Sequence, residues 1–279
     1  MSTASTILGK CRERFGDSSA NWITNAVGMN WIDHAQAELN NKFFPLTRLT
    51  GFVVAANQEA FTIPSDHIMT EAVWHSRAVR TVMIYKPAIE FFKLKMVAQS
   101  ATGYPQYYTE FEGRFYVWPM YGTADATVAA SGAINATSTT VSLATVTGLQ
   151  IQGLVSVAST SEIIQYTLAA SGQLSGCQRG YAGTTAASFA STGTLTQMTL
   201  QVLYKRAAAS ISTVTDSVEL PMLYERAMEE WVLYLAYAAE GSQEKAAAQY
   251  QVAQKEFDKL EYIGSRETMD RPMRIIDRL

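Results

Sequence analysis

The sequence predicts an α+β protein in which a helical body is interrupted by a small all-β segment. Two changes of composition indicate this organisation, one near Gly122 and one near Met198. Residues 123–198 contain 24 Ser or Thr and three charged side chains, Asp125, Glu162 and Arg179. The flanking regions hold the rest of the 22 Lys and Arg and 25 Asp and Glu residues, and apolar residues there recur with helical spacing.

The N-terminal region predicts helices followed by short strands. A first helix, which Ser5 can cap, has its apolar side chains on one face. A second helix begins after Asn30, which resembles the first residue of a capping box. Short strands are expected near 51–54 and 60–63, and a further helix over 88–96 has a proline at its first turn.

The segment 123–198 has the pattern of a small sandwich or barrel. Apolar and β-branched residues alternate over runs such as 139–143, 154–157 and 162–166, and glycines separate the runs. A disordered linker is the alternative, because Ser, Thr, Ala and Gly also dominate linkers. The regular apolar positions favour a folded segment.

The C-terminal third predicts a helical hairpin. Leu220 and Pro221 open one helix, and Gly241 is suited to end it. Ser242 can cap the next helix, in which apolar residues including Phe257 form a seam at spacings of four and three.

Two alternating runs mark the boundaries of the β segment. Residues 112–119 predict a strand that leads into it, and residues 199–206 predict a strand that leads out. The simplest arrangement pairs these strands as one antiparallel hairpin with the β segment inserted at its tip, where insertions are tolerated. The predicted domains are therefore 1–122 with 199–279, a discontinuous helical body, and 123–198, an inserted β domain.

The composition argues against several classes of protein. Charged residues make up 17% of the chain, against about 25% in an average soluble domain, which suggests surface reserved for contacts with other subunits. The net charge of −3 argues against a dedicated nucleic-acid binder. Cys11 and Cys177 predict neither a disulfide framework nor a zinc site. No signal peptide or membrane span is expected.

Groups that could carry catalysis or bind a metal are few. Glu110 and Glu112 would point to the same side of one strand, and paired carboxylates can hydrolyse glycosides, but a solvated strand face is favoured. Cys177 stands close to Arg179, which can lower a thiol pKa, although a buried cysteine is the more ordinary interpretation. The three histidines, His34, His67 and His75, lack metal-ligand spacing.

The tail over 264–279 combines arginines with aliphatic residues. A frayed end and an arm that orders against a partner both fit this composition. In the second case the aliphatic side chains would fill pockets and the arginines would bind carboxylates.

The order of features resembles the phage head-tail adaptor (connector) family. The resemblance is carried by the short N-terminal helices and by residues 60–66, 103–108, 118–119, 219–221 and 244–260. Residues 177–180 and 183–187, with 162–166 upstream, resemble a recurrent β module of phage tail and baseplate proteins.

The resemblance implies a structural virion protein without enzymatic activity, cofactor or metal. Copies of it would assemble in the host cytoplasm into a twelve-fold ring under the portal protein, at the neck of the virion. The ring would receive tail or nozzle proteins and let double-stranded DNA pass, without contact with a membrane. The expected portal-docking residues are Arg266, Arg271, Arg274, Ile275, Ile276, Arg278 and Leu279.

The β module is expected at the outer rim or lower face of such a ring. Two alternatives remain open. One is a tail or baseplate protein in which the module supplies adhesion or trimeric contacts. The other is a virion-associated cell-wall hydrolase, for which Glu110, Glu112 and Glu162 are the candidate carboxylates.

Overall fold

The computed structural model describes residues 2–43, 45–76, 81–97 and 101–270, with side chains as far as Tyr262. The chain divides into two compact units, Met1–Thr47 with Lys205–Leu279, and Arg48–Tyr204. The predicted α+β class is confirmed, since helices and several sheets are present and none of the described sheets is closed.

Four of the five helices in the described ranges belong to the first unit, and one belongs to the second. The helices are α1 (Ala4–Phe15), α2 (Asn25–Phe43), α3 (Ala88–Val97), α4 (Glu225–Glu240) and α5 (Gln243–Asp270). Short 3-10 turns cover Tyr181–Gly183 and Met222–Tyr224.

The cap predicted for the first helix is wrong by two positions. Thr3 is the N-cap of α1, and its hydroxyl accepts a hydrogen bond from the backbone N–H of Thr6 at 3.3 Å. Ser5 already lies inside the helix, and its backbone N–H donates to the carbonyl of Val214. The first helical turn is therefore tied to a distant segment of the same unit.

The second helix begins at Asn25 and not after Asn30. The hydroxyl of Thr24 accepts from the backbone N–H of Val27 at the true start of α2. Gly28, inside the helix, allows close packing, since a Cβ there would lie 2.2 Å from a methyl group of Leu8 in α1.

The predicted C-terminal hairpin is confirmed, although α4 begins at Glu225, after the 3-10 turn, and not at Leu220 and Pro221. Helix α4 ends at Gly241, whose φ of 83° is in the left-handed region that favours glycine. Phe257 of α5 is buried and stacks on Trp231 of α4, with ring centroids 5.2 Å apart. Helix α5 continues to Asp270, well beyond the seam that predicts it.

The strands of the described residues lie in the second unit, apart from the outermost residues of the first and last strand. They are β1 (Thr47–Phe52), β2 (Ala60–Thr62), β3 (His67–His75), β4 (Thr81–Val82), β5 (Ile84–Tyr85), β6 (Thr102–Gly103), β7 (Tyr107–Phe111), β8 (Arg114–Trp118), β9 (Met120–Tyr121), β10 (Thr127–Ala129), β11 (Thr140–Ser142), β12 (Gly153–Val157), β13 (Glu162–Tyr166), β14 (Leu168–Ala170), β15 (Gln173–Ser175), β16 (Thr194–Gln197) and β17 (Leu200–Arg206).

The predicted hairpin between the two boundary strands is wrong, although both strands exist. Strand β8 pairs with β2 and β7, whereas β17 lies between β1 and β3 in another sheet. The reason is the turn at Glu112 and Gly113, whose φ values of 49° and 73° suit a two-residue hairpin turn and join β7 to β8 locally. The two boundary strands still share one core, in which Phe115 and Val117 pack with Val202.

The segment between the boundary strands has a core of its own. Its sheets have the strand orders β10-β16-β12-β13 and β11-β15-β14. Val155, Ile164 and Leu195 from the first sheet share one hydrophobic cluster with Val141 and Leu174 from the second. Two open sheets that face one core form a sandwich, while the existence of a separate domain at 123–198 stays a prediction.

A buried carboxylate holds the start of this segment to the rest of its unit. Asp125 accepts hydrogen bonds from the backbone N–H groups of Val54, at 2.9 Å, and Thr199, at 3.2 Å. The hydroxyl of Thr199 donates to its other oxygen at 2.5 Å. Asp125 therefore links the entry of the segment to the ends of β1 and β17.

Candidate functional site: two exposed apolar surfaces

The three carboxylates considered for hydrolysis do not form a site. Glu110 lies on β7 with its Oε2 3.9 Å from Nε2 of His67. Glu112 is in the hairpin turn and not on the same strand face, because the strand ends at Phe111. Glu162 lies on β13, in the sandwich. The spacing that suggested a carboxylate pair is therefore broken by a turn.

Glu162 is a structural group of the sandwich. Both of its oxygens accept hydrogen bonds from the Arg179 guanidinium, at 2.8 Å and 2.7 Å, and further bonds come from the backbone N–H groups of Gly180 and Ala187. Burial alone would raise the pKa of this carboxyl, but these hydrogen bonds and the Arg179 charge outweigh burial and lower the pKa. Besides binding Glu162, the Arg179 guanidinium donates hydrogen bonds to the backbone carbonyls of Asn135 and Ala187.

The cysteines behave as buried apolar residues. Burial raises the pKa of the Cys177 thiol to about 11 despite the nearby Arg179 charge. Burial likewise raises the pKa of Cys11 to about 12. Both thiols therefore stay protonated at neutral pH, and neither is an activated nucleophile.

The histidines lie in separate surroundings. His34 is 4.0 Å from Glu38 on α2. His67 lies 3.9 Å from Glu110, and His75 stacks on the ring of Tyr104. Within the described ranges, no three His, Cys, Asp or Glu side chains are grouped so that they could hold a metal ion. Nor does any helix there combine the length and apolar character needed to cross a membrane.

Helix α3 buries one face against the sheet that contains β7. Phe91 is buried, and the ring of Phe92 packs edge-on against Phe111 and Tyr116. Nζ of Lys95 lies 2.7 Å from Glu59. These contacts fix the orientation of the helix, and with it the residues that point away from the sheet.

The outward face of α3 combines apolar residues with the exposed charged residues Glu90 and Lys93. Ile89, Met96 and Val97 are 73%, 74% and 89% exposed, and we call these three residues the helix surface. Ile84 and Tyr85 of β5, at the edge of the same sheet, are exposed as well. Large apolar side chains that are exposed close together are typical of surfaces that contact other chains.

The sandwich over residues 123–198 has a surface without exposed charged side chains. Residues 123–198 are all described, and their three charged residues are buried: Glu162 and Arg179 side chains are 0% and 6% exposed, and Asp125 is 7% exposed. Two large apolar side chains, Ile151 and Leu168, are exposed on this surface. We call these two residues the neutral patch.

One of the residues predicted to dock on the portal lies in α5, and the other six lie outside the described residues. Arg266 belongs to the backbone of α5, in the part whose side chains are not described. Arg271, Arg274, Ile275, Ile276, Arg278 and Leu279 lie outside the described residues. Their role stays a prediction.

Sequence reasoning missed both exposed apolar surfaces, although the composition of α3 gave a signal for the helix surface. Seven of the ten residues of α3 are apolar, more than one buried face requires. For the neutral patch the sequence shows the scarcity of charge, but it does not show that all three charges are buried.

In residues 123–198 the buried charges serve the fold, and the exposed apolar residues of α3 and of the sandwich are suited to contacts with other chains. A family model described as SU10 adaptor protein matches residues 2–276, and the chain belongs to this family. It is therefore a phage adaptor protein, as its resemblance to head-tail adaptors implies. A search of curated proteins found no match. The family match runs through residues 123–198, so the sandwich lies within the region that the family model covers.

Proposed function

We propose that this protein is a head-to-tail adaptor whose copies form a ring under the portal of the virion and provide the attachment site for tail or nozzle proteins. The observation that carries the proposal is membership of the SU10 adaptor protein family over residues 2–276. The exposed helix surface supports it, because a ring subunit needs apolar surface for its neighbours.

DNA would pass through the lumen of the ring during packaging and ejection. Each chain has a net charge of −3, and a ring multiplies this charge by the number of its copies. Mild negative charge repels phosphates and gives the duplex no basic surface to which it would bind. The proposed contact with DNA is therefore passage without sequence recognition.

The C-terminal arm is the proposed contact with the portal. Residues 265–279 include four arginines and several aliphatic side chains, a combination suited to a partner with acidic groups and apolar pockets. Deletion of residues 265–279 should leave the folded chain and its ring intact and abolish attachment to the portal. Unchanged attachment of the truncated ring would contradict this assignment.

Electron microscopy of the full chain, alone and mixed with its portal protein, tests the main proposal. We expect twelve-fold rings stacked on the portal. A three-fold or six-fold assembly would instead indicate a tail or baseplate protein. Incubation with peptidoglycan tests the hydrolase alternative, and we expect no release of fragments.

A matched pair of variants tests the role of the helix surface in the ring. Ile89→Asp with Met96→Asp introduces charge at two exposed apolar positions, so we expect rings to be lost while the subunit stays folded. Ser159→Asp, at an exposed position in the turn between β12 and β13, introduces the same side chain elsewhere and should leave rings intact. Rings formed equally well by both variants would show that the helix surface is not a subunit contact.

A further inference from the structure

The sandwich approaches the strands around it very closely at Gly51 of β1. A Cβ atom at Gly51 would lie 2.8 Å from Cβ of Met198 and 3.2 Å from Cδ1 of Leu154 in β12. The φ angle of Gly51 is not in the left-handed region, so backbone conformation does not require glycine here. Close packing does, because Cβ of Met198 is fixed to the backbone and cannot turn away from an added side chain.

The residues that meet Gly51 belong to a small apolar cluster outside the main core of the sandwich. Leu154, Ile163 and Met198 form this cluster and are buried, and Tyr181 and Ala182 of the 3-10 turn pack against them. The neighbours of Leu154 and Ile163 along β12 and β13 belong to the main core instead. Because successive residues of a strand point to opposite faces, the small cluster lies on the face of the sheet turned away from that core. We call Gly51 and the three cluster residues the joint.

Two polar contacts add to the joint. Asp125 binds the start of the sandwich to the ends of β1 and β17, as described above. The turn that contains Gly183 lies against Arg48 of β1, since a Cβ atom at Gly183 would be 2.8 Å from Nη2 of that guanidinium. Arg48 is held in this position by a hydrogen bond of 2.5 Å to Asp66, which also accepts one from the hydroxyl of Tyr204. The guanidinium can move aside only by leaving its carboxylate.

We propose that the joint fixes the sandwich in one orientation on β1, so that the sandwich is a rigid arm of each subunit and not a module on a flexible tether. The chain connections at both ends of residues 123–198 would by themselves allow the sandwich to swing. Apolar contact at Gly51, together with the contacts of Asp125 and Arg48, opposes this motion at three separate places. The inference concerns a single chain and does not rest on the proposed ring.

Hydrogen exchange of the full chain separates opening of the joint from unfolding of the sandwich. Gly51→Val adds a branched side chain to the joint, and overpacking of this kind weakens a contact by about ten- to a hundredfold. The amides of Val54 and Thr199, which donate to Asp125, should exchange faster by about this factor. The amides of β12 and β13 that pair with each other should keep their protection, because the main core of the sandwich is unchanged.

Two further variants make the result specific. Gly103→Val is the matched control, because Gly103 is also a strand glycine without a left-handed φ but has no atom within 4 Å of an added Cβ. It should leave both groups of amides unchanged. Met198→Ala removes a buried side chain from the joint without adding bulk, and should speed exchange at Val54 and Thr199 by about tenfold. This variant keeps the test valid if the chain with Gly51→Val does not fold.

Spin labels measure the orientation of the sandwich directly. Thr62→Cys on β2 and Ser159→Cys in the turn between β12 and β13 place one label at each of two exposed positions. The native Cys11 and Cys177 are buried and do not compete for the label. We expect one narrow distribution of distances between the labels in the otherwise native chain. Adding Gly51→Val should shift or broaden the distribution, because the sandwich can no longer approach β1 as closely.

Three results would overturn the proposal. A broad distribution of distances in the otherwise native chain would show that the sandwich is tethered and not fixed. Equal exchange and equal distances in the Gly51→Val and Gly103→Val chains would show that Gly51 does not position the sandwich. Loss of protection throughout β12 and β13 in the Gly51→Val and Met198→Ala chains would show that the joint and the sandwich unfold as one. None of these measurements depends on a ring or on the portal, so the proposed function can fail without affecting them.

Discussion

The substitution Glu162→Ala should destabilise the sandwich strongly. It removes the acceptor for two guanidinium hydrogen bonds from Arg179 and for the backbone N–H groups of Gly180 and Ala187. The guanidinium would remain with its side chain only 6% exposed and without a counter-ion. Removal of one partner from a buried ion pair costs about 3–5 kcal/mol, a large share of the roughly 5–15 kcal/mol that stabilises a typical domain.

Hydrogen exchange of the full chain measures this loss where it occurs. None of the five Trp residues lies within residues 123–198, so Trp fluorescence does not report on unfolding of the sandwich alone. The backbone amides of β12 and β13 do report on it. We expect their protection to fall by about two to three and a half powers of ten, since about 1.4 kcal/mol corresponds to a factor of ten.

The difference between the wild type and Glu162→Ala should also depend on pH. The pKa of Glu162 is lowered in the folded state, so its contribution to stability is fully present above its ordinary value of 4.5. That contribution is lost as the pH falls through the folded pKa. The two proteins should therefore converge in acid.

Two control variants test the reasoning. Glu38→Ala removes an exposed carboxylate 4.0 Å from His34 and should change the free energy of unfolding by less than about 0.5 kcal/mol. Glu162→Leu combined with Arg179→Met removes both charges and should recover much of the loss, because no buried charge then lacks a partner. A loss below about 1 kcal/mol for Glu162→Ala would refute the structural role of the pair.

Three further predictions concern other sites. Phe257→Ala should lower the free energy of unfolding by about 3–5 kcal/mol, which the fluorescence of the stacked Trp231 can monitor. Tyr250→Ala, at a more exposed site, should lower it clearly less. Asp125→Ala leaves three buried donors without this acceptor and should lower the free energy of unfolding by about 2–3 kcal/mol. Unchanged hydrogen exchange of the Thr199 amide would contradict the role of Asp125 in joining the segment to β1 and β17. Hydrogen bonds from the Thr213 hydroxyl and backbone lower the pKa of Asp216 to about 2, so a carbon-detected NMR titration should not show a midpoint near 3.8.

The C-terminal hairpin was predictable because its determinants are local. Gly241 supplies the left-handed residue that ends α4, and the apolar seam of α5 lies within one helix. Each signal involves residues a few positions apart. The predicted helix starts at Ser5 and Asn30 were wrong, because the competing caps at Thr3 and Thr24 have similar chemistry.

Strand pairing depends on residues far apart in the chain. The turn at Glu112 and Gly113 joins β8 to β7. Strand β17 instead pairs with β1 and β3, which precede it by more than a hundred residues. Alternation shows which face of a strand is apolar but not which strand lies beside it. The predicted hairpin of residues 112–119 with 199–206 was wrong for this reason.

The α+β class, the helical hairpin, the charge-poor segment 123–198 and the resemblance to phage adaptors could all be recognised from the amino-acid sequence alone. The burial of Asp125, Glu162 and Arg179, and the exposure of some apolar residues of α3 while Phe91 is covered, follow only from the fold. The number and kind of side chains are properties of the chain. Burial depends on which distant residues pack around each side chain, so the exposed apolar surfaces are defined only in the folded protein.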